Sequence, residues 1–160
     1  MKCAAMTCAL SVLVCLPAVK ASASSCYSLA ALALKDTTIT MAQLVPAGQF
    51  STPGERQGAG RGGNPYKDLS EFCRVAATLK PTSDSDIKVE VWLPANSWNG
   101  KFQAVGNGGW AGTISYPAMA DALRAGYATA STDTGHVGGR GTFALDHPEK
   151  LVDFSWRSEH

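Results

Sequence analysis

Residues 106–112 of this 160-residue chain read GNGGWAG. A run this rich in glycine lets a ligand approach backbone N–H groups that Cβ atoms would otherwise shield. Two chemistries use such a run. In the first, Gly106-x-Gly108-x-x-Ala111 follows a strand and precedes a helix, with Asp133 about 20 residues further on, the pattern that cradles a dinucleotide pyrophosphate. In the second, the loop offers an N–H to the oxyanion of an ester under attack. A plain turn is a third reading. Spacing alone leaves all three open.

Few other residues compete for chemistry. Asp133 and His136 share the segment STDTGH, which invites a triad reading. Both stand in one turn after a strand, where such side chains bond the backbone and hold a loop in shape. His136, His147 and His160 lack HExxH or any other ligand spacing, so no metal is expected on this chain. Asp146 precedes His147-Pro148 and reads as a helix cap. Trp92 and Trp98 read as packing residues, whereas Trp110 lies inside the glycine loop, where it could touch an aromatic acyl group. A G-x-S-x-G nucleophile motif is absent from the 160 residues, and so are Asn-x-Ser/Thr sequons.

The elements that must position this loop follow from local pattern. Residues 26–34 read as a short apolar helical turn, and residues 37–45 as a strand or extended segment. Residues 46–65 are rich in Gly, Pro and Arg and read as a long loop with a mobile tip at 58–63. The tip's RQGAGRGG resembles an RNA-binding segment, but in this context it reads as loop. CRVAATL (73–79) and IKVEVWL (87–93) read as a hairpin, the second strand alternating Ile87, Val89 and Val91 with Lys88, Glu90 and Trp92. KFQAV (101–105) then forms a third strand of the sheet. PAMADALRA (117–125) has a helical period, with Pro117 at its first turn, Gly126 at its stop and a small face of Ala118, Ala122 and Ala125. YATAST (127–132) is a strand. Residues 147–160 read as a helix with Leu151, Val152 and Phe154 on its apolar side. Strand, helix and strand at this spacing predict a βαβ crossover and a parallel sheet.

The first 23 residues have the form of a secretory signal peptide. Lys2 supplies the positive start, residues 4–19 are largely apolar with Pro17 as a break, and Ala21-Ser22-Ala23 is a small-residue cleavage site. The apolar stretch is shorter than the roughly 20 residues that span a bilayer, and nothing later is apolar enough to do so. Removal of these 23 residues leaves 137, with 12 basic residues against 13 acidic ones. Such a balance argues against nucleic acid or an anionic membrane as partner. Cys3, Cys8 and Cys15 leave with the leader, so Cys26 and Cys73 remain as one pair in an oxidising compartment, and a disulfide between them is expected.

Three segments carry a family resemblance. The run FCRVAATLKPTSDSDIKVEVWLPANSWNGKFQAVGNGGWAG, then ALRAGYATASTDTGH, then FALDHPEKLVDFSWRSEH, resembles the tannase and feruloyl esterase family over residues 26–160, most weakly in the Arg/Gly loop. WNGKF, GNGG-x-AG, STDTGH and HPEKL-x-D-F in this order are specific to it. The resemblance implies an α/β-hydrolase fold, here only its N-terminal portion of hairpin plus first βαβ unit, over residues 24–160. The lid domain and nucleophile elbow are absent from that portion. It implies secreted hydrolysis of phenolic-acid esters, feruloyl or galloyl, small or linked to plant polysaccharide, by a Ser-His-Asp triad through an acyl-enzyme. Family members carry their Ser in G-C-S-x-G-G and bind calcium in the lid. Neither motif nor lid occurs in these 160 residues, which as such are expected to be inactive. Gly109, with Gly108 beside it, matches the family's oxyanion glycine, and Cys26 and Cys73 match its N-terminal disulfide. The alternatives are a non-catalytic secreted binding module derived from this fold and a dinucleotide-dependent enzyme.

Overall fold

The computed structural model describes residues 23–54 and 63–159. The leader reading, most of the Arg/Gly tip and His160 lie outside the described residues. Five strands form one sheet: β1 (Thr37–Val45), β2 (Phe72–Leu79), β3 (Ile87–Pro94), β4 (Phe102–Val105) and β5 (Ala128–Thr132). Their spatial order is β1-β2-β3-β5-β4. The hairpin expected of β2 and β3 is present, with Val75 opposite Val91. Strand β1 joins the same sheet, so KFQAV is the fourth strand in chain order rather than the third.

The expectation of a parallel sheet is met at one pairing only. β4 and β5 run parallel across the crossover helix α2 (Tyr116–Arg124), while β1/β2, β2/β3 and β3/β5 are antiparallel. The sheet is therefore mixed. The βαβ pattern was read correctly, but it governs only the two strands that α2 connects, and β3 enters from a hairpin that fixes the opposite sense.

One face of the sheet carries the core. Alternation along the strands puts Phe72, Arg74, Glu90 and Trp92 on that face. Val45, Phe72 and Trp92 there meet Met119, Ala120 and Leu123 of α2. The buried face of α2 is thus Met119, Ala120, Ala122 and Leu123, and the expected small face is displaced, with Ala125 exposed. Phe50, Tyr66 and Leu69 complete this core from within the long connection. Phe50 packs edge-on to both Tyr66 and Trp92, at 4.9 and 4.6 Å between ring centroids. The connection reads as loop because it has no period, yet three apolar side chains fold it over α2. Asn64 Nδ2 donates to the carbonyls of Gly48 and Phe50, tying its two halves together. Arg124 fastens it to α2 through a bidentate pair with Asp68, each bond 2.8 Å.

Within the core lies a buried ion pair. Glu90 accepts from Arg74 Nε and Nη2, from Trp92 Nε1 at 2.9 Å and from the Tyr116 hydroxyl at 2.9 Å. Burial, reinforced by the Glu90 charge, holds the Tyr116 hydroxyl well above the usual tyrosine range. Tyr116 is the first residue of α2, so this network fixes where the helix starts. At the other end Gly126 takes φ +80°, the left-handed helix stop. The 95–100 turn packs there, with the Asn99 side chain capping the Ala125 carbonyl at 2.9 Å.

On the opposite face, α1 (Ala23–Ser28) is joined to β2 by the Cys26–Cys73 disulfide. The last helix, α3 (Pro148–Val152), continues as a wider turn over Asp153–Arg157. Its inward face differs from the one expected. Leu151 and Val152 are exposed and Asp153 is fully buried, bonded by Ser85 at 3.0 Å and Arg157 at 2.9 Å. The cap also differs: Asp146 has φ +61° and the N-cap is His147, whose side chain instead meets Asp84 at 3.1 Å. Trp98 is exposed too, with its Nε1 donating to the Lys101 carbonyl, so of the two tryptophans read as packing residues Trp92 alone is in the core.

Candidate functional site

Parallel strands end at the same edge of a sheet, so the loops leaving β4 and β5 meet. β4 runs into residues 106–112 and β5 into residues 133–138. Three hydrogen bonds join them into one piece. Asn107 Nδ2 donates to the Thr132 carbonyl at 2.8 Å, the Gly112 N–H to the Gly138 carbonyl at 2.7 Å, and His136 Nε2 lies 2.9 Å from the Trp110 carbonyl. Gly112 must be glycine here, since a Cβ would sit 2.5 Å from the His136 carbonyl oxygen.

Inside the loop the Ala111 N–H donates to the Gly108 carbonyl at 3.1 Å, closing a turn around Gly109 and Trp110. Gly109 holds φ +56°, a conformation that L side chains rarely adopt. The peptide between Gly108 and Gly109 is trans, so its N–H points opposite to its carbonyl. That carbonyl faces inward to Ala111, and the Gly109 N–H therefore faces outward. It donates to no acceptor among the described residues. Around Gly106, Gly108 and Gly109 a Cβ would meet nothing within 4 Å. The arrangement is a rigid turn presenting an unpaired N–H to open space, which is what an anionic oxygen requires.

Asp133 and His136 are both buried, and their side chains do not pair with each other. Asp133 Oδ1 accepts the N–H groups of Lys88 and Gly135, each at 2.9 Å. Burial pushes its carboxyl above the usual carboxylate value, against the pull of those two donors. The His136 ring lies flat on Phe143, at 3.7 Å between centroids. Its Nδ1 faces the Thr134 hydroxyl at 3.2 Å. Both residues hold the backbone, as their position in one turn implied. This arrangement also weighs against a dinucleotide cradle. Such a site needs a free acid after the second strand and a helix that opens on the glycines. Here Asp133 is committed to the backbone, and residues 113–115 separate the loop from α2.

Trp110 is 45% exposed. One ring face stacks on Phe154 at 4.8 Å, and Phe143 lies 6.0 Å away. Asn107 and Phe143 were not singled out in the sequence, and Phe154 was read only as part of the apolar side of the last helix. Asn107 carries a signal as the one amide side chain in the loop, while the two phenylalanines carry none for this contact because their partner is more than thirty residues upstream. Among the described residues no group of three or more His, Cys, Asp or Glu could hold a metal ion.

Known proteins resemble this chain in sequence and in fold. A family model described as "Tannase and feruloyl esterase" matches residues 73–160. An uncharacterized esterase of Xanthomonas campestris is 43% identical over 141 residues, covering 86% of this chain and 23% of that protein. Feruloyl esterase C of Talaromyces stipitatus is 41% identical over 92 residues, 58% of this chain and 17% of the relative. The crystal structure of feruloyl esterase B from Aspergillus oryzae superposes with a TM-score of 0.72 at 29% identity, over 85% of this chain and 26% of that one. The chain belongs to the tannase and feruloyl esterase family. It spans about a quarter or less of the length of these relatives.

Proposed function

We propose that residues 24–160 form the N-terminal part of an α/β-hydrolase exported from the cell, and that their glycine loop supplies one oxyanion donor for hydrolysis of phenolic-acid esters. The leader pattern of residues 1–23 and the Cys26–Cys73 disulfide support export. The outward, unpaired N–H of Gly109 is the observation that carries the catalytic reading. In hydrolases of this fold one donor comes from the loop between a strand and the first helix, and the other is the N–H after the nucleophile. A serine outside these 160 residues attacks the ester carbonyl, a histidine oriented by an acid takes its proton, and negative charge develops on the carbonyl oxygen. Gly109 N–H meets that charge as it forms. Trp110 offers its exposed edge to the aromatic acyl group. Feruloyl and galloyl esters both fit this scheme.

The test is kinetic, on the full-length gene product. It is expected to hydrolyse methyl ferulate or methyl gallate, while residues 24–160 alone do not. Gly109→Ala forces a Cβ into a left-handed conformation and shifts the N–H. Loss of one oxyanion donor lowers kcat by about 10²–10³, so a fall of at least about tenfold with KM little changed is expected. An unchanged kcat would remove Gly109 from the mechanism.

A further inference from the structure

We propose that His136 is a positioning residue for the Gly109 N–H, acting through a relay of two peptide groups. This rests on the reading of the loop as an oxyanion donor. A carbonyl oxygen only accepts, so at 2.9 Å from the Trp110 carbonyl His136 Nε2 must carry a proton and donate it. That carbonyl belongs to the same peptide as the Ala111 N–H, which donates to the Gly108 carbonyl. The Gly108 carbonyl in turn belongs to the same peptide as the Gly109 N–H. The series runs from His136 Nε2–H through the 110–111 and 108–109 peptides and ends on the outward N–H. Each bond fixes the plane of the next peptide and polarises it in one sense, so the last donor is both aimed and strengthened.

The imidazole is itself held. It is 7% exposed and stacked on Phe143. On its other side, Nδ1 lies 3.2 Å from Thr134 Oγ1, whose hydroxyl donates to the Asp133 carbonyl at 2.6 Å.

Side chains of different reach separate this role from packing. The amide nitrogen of Gln reaches as far as Nε2, whereas Phe keeps the stacking on Phe143 and removes both bonds. In the full-length gene product, His136→Phe is expected to lower kcat on methyl ferulate about tenfold, less than the loss of a whole donor. KM should be little changed, and His136→Gln should restore most of the rate. Hydrogen–deuterium exchange of peptides covering residues 106–112 should quicken in His136→Phe and return toward wild type in His136→Gln. His136→Asn, too short for the Trp110 carbonyl, should behave as the Phe variant and replaces it if that protein does not fold. Equal loss in all three variants, or no change in either readout, overturns the proposal. If exchange follows the pattern while Gly109→Ala leaves kcat unchanged, the relay stands as a structural latch and the oxyanion reading falls.

Discussion

Asp133 shows how a residue can look catalytic and serve the backbone instead. Its carboxyl is raised by burial, so the folded state binds its proton more tightly than the unfolded chain does. The stability that this gives is fully present below the ordinary value of 3.8 and is lost as pH rises through the higher folded value. At neutral pH the buried charge therefore lowers stability. Asp133→Asn keeps an oxygen for the Lys88 and Gly135 N–H groups and cannot ionise. In the full-length gene product its urea midpoint is expected to exceed that of wild type at neutral pH and to converge with it under acid conditions below 3.8. A midpoint lower at every pH would show that the carboxylate charge is needed. Gly109 was singled out by the family resemblance rather than by spacing, and its φ of +56° is one that glycine adopts without strain. The partner of His136 was not, since Trp110 lies 26 residues upstream and only the sheet brings the two together.

At the scale of elements, local pattern located all five strands and α2 to within a residue or two, because each has a clear period or a proline or glycine at its end. It failed where burial is set by distant partners. Nothing local marks Phe50, Tyr66 and Leu69 as core, or turns Asp153 rather than Leu151 inward. The start of α2 depends on Glu90, a charged residue in a strand, and sequence gives no hint that four donors converge on it. Removing one partner of a buried ion pair costs about 3–5 kcal/mol. In the full-length gene product, Glu90→Gln leaves Arg74 buried without its counter-charge and is expected to lose stability in that range, read from urea unfolding by tryptophan fluorescence. A loss below about 1 kcal/mol, the level of an exposed pair, would mean that the network is not the anchor of α2. The disulfide acts on the unfolded chain. It joins residues 47 apart, and closing a loop of this length stabilises a fold by about 4 kcal/mol in the chain-entropy model. Reduction should lower the unfolding midpoint accordingly, and Cys73→Ala should reproduce the shift.

The whole molecule is asymmetric. One sheet face is closed by α2 and the long connection. On the other, Val75, Val91 and Ala130 stand in register across three strands and are only partly buried. β4 forms an open edge with Phe102 exposed. An apolar face and an unpaired edge favour association in water. Residues 24–160 produced alone are expected to bind a hydrophobic dye and to unfold without a cooperative transition. A soluble monomer with a sharp transition would contradict this. Among the described residues, the glycine loop is bonded on the side of β5 through Asn107, Gly112 and the Trp110 carbonyl. The central claim is that Gly109 N–H receives the oxyanion. It is tested most directly by a crystal structure of the full-length gene product bound to a phosphonate or boronate analogue of the tetrahedral intermediate. The account predicts an adduct oxygen about 2.7–3.1 Å from Gly109 N. An adduct oxygen held by other donors, with Gly109 N–H facing solvent, would contradict it.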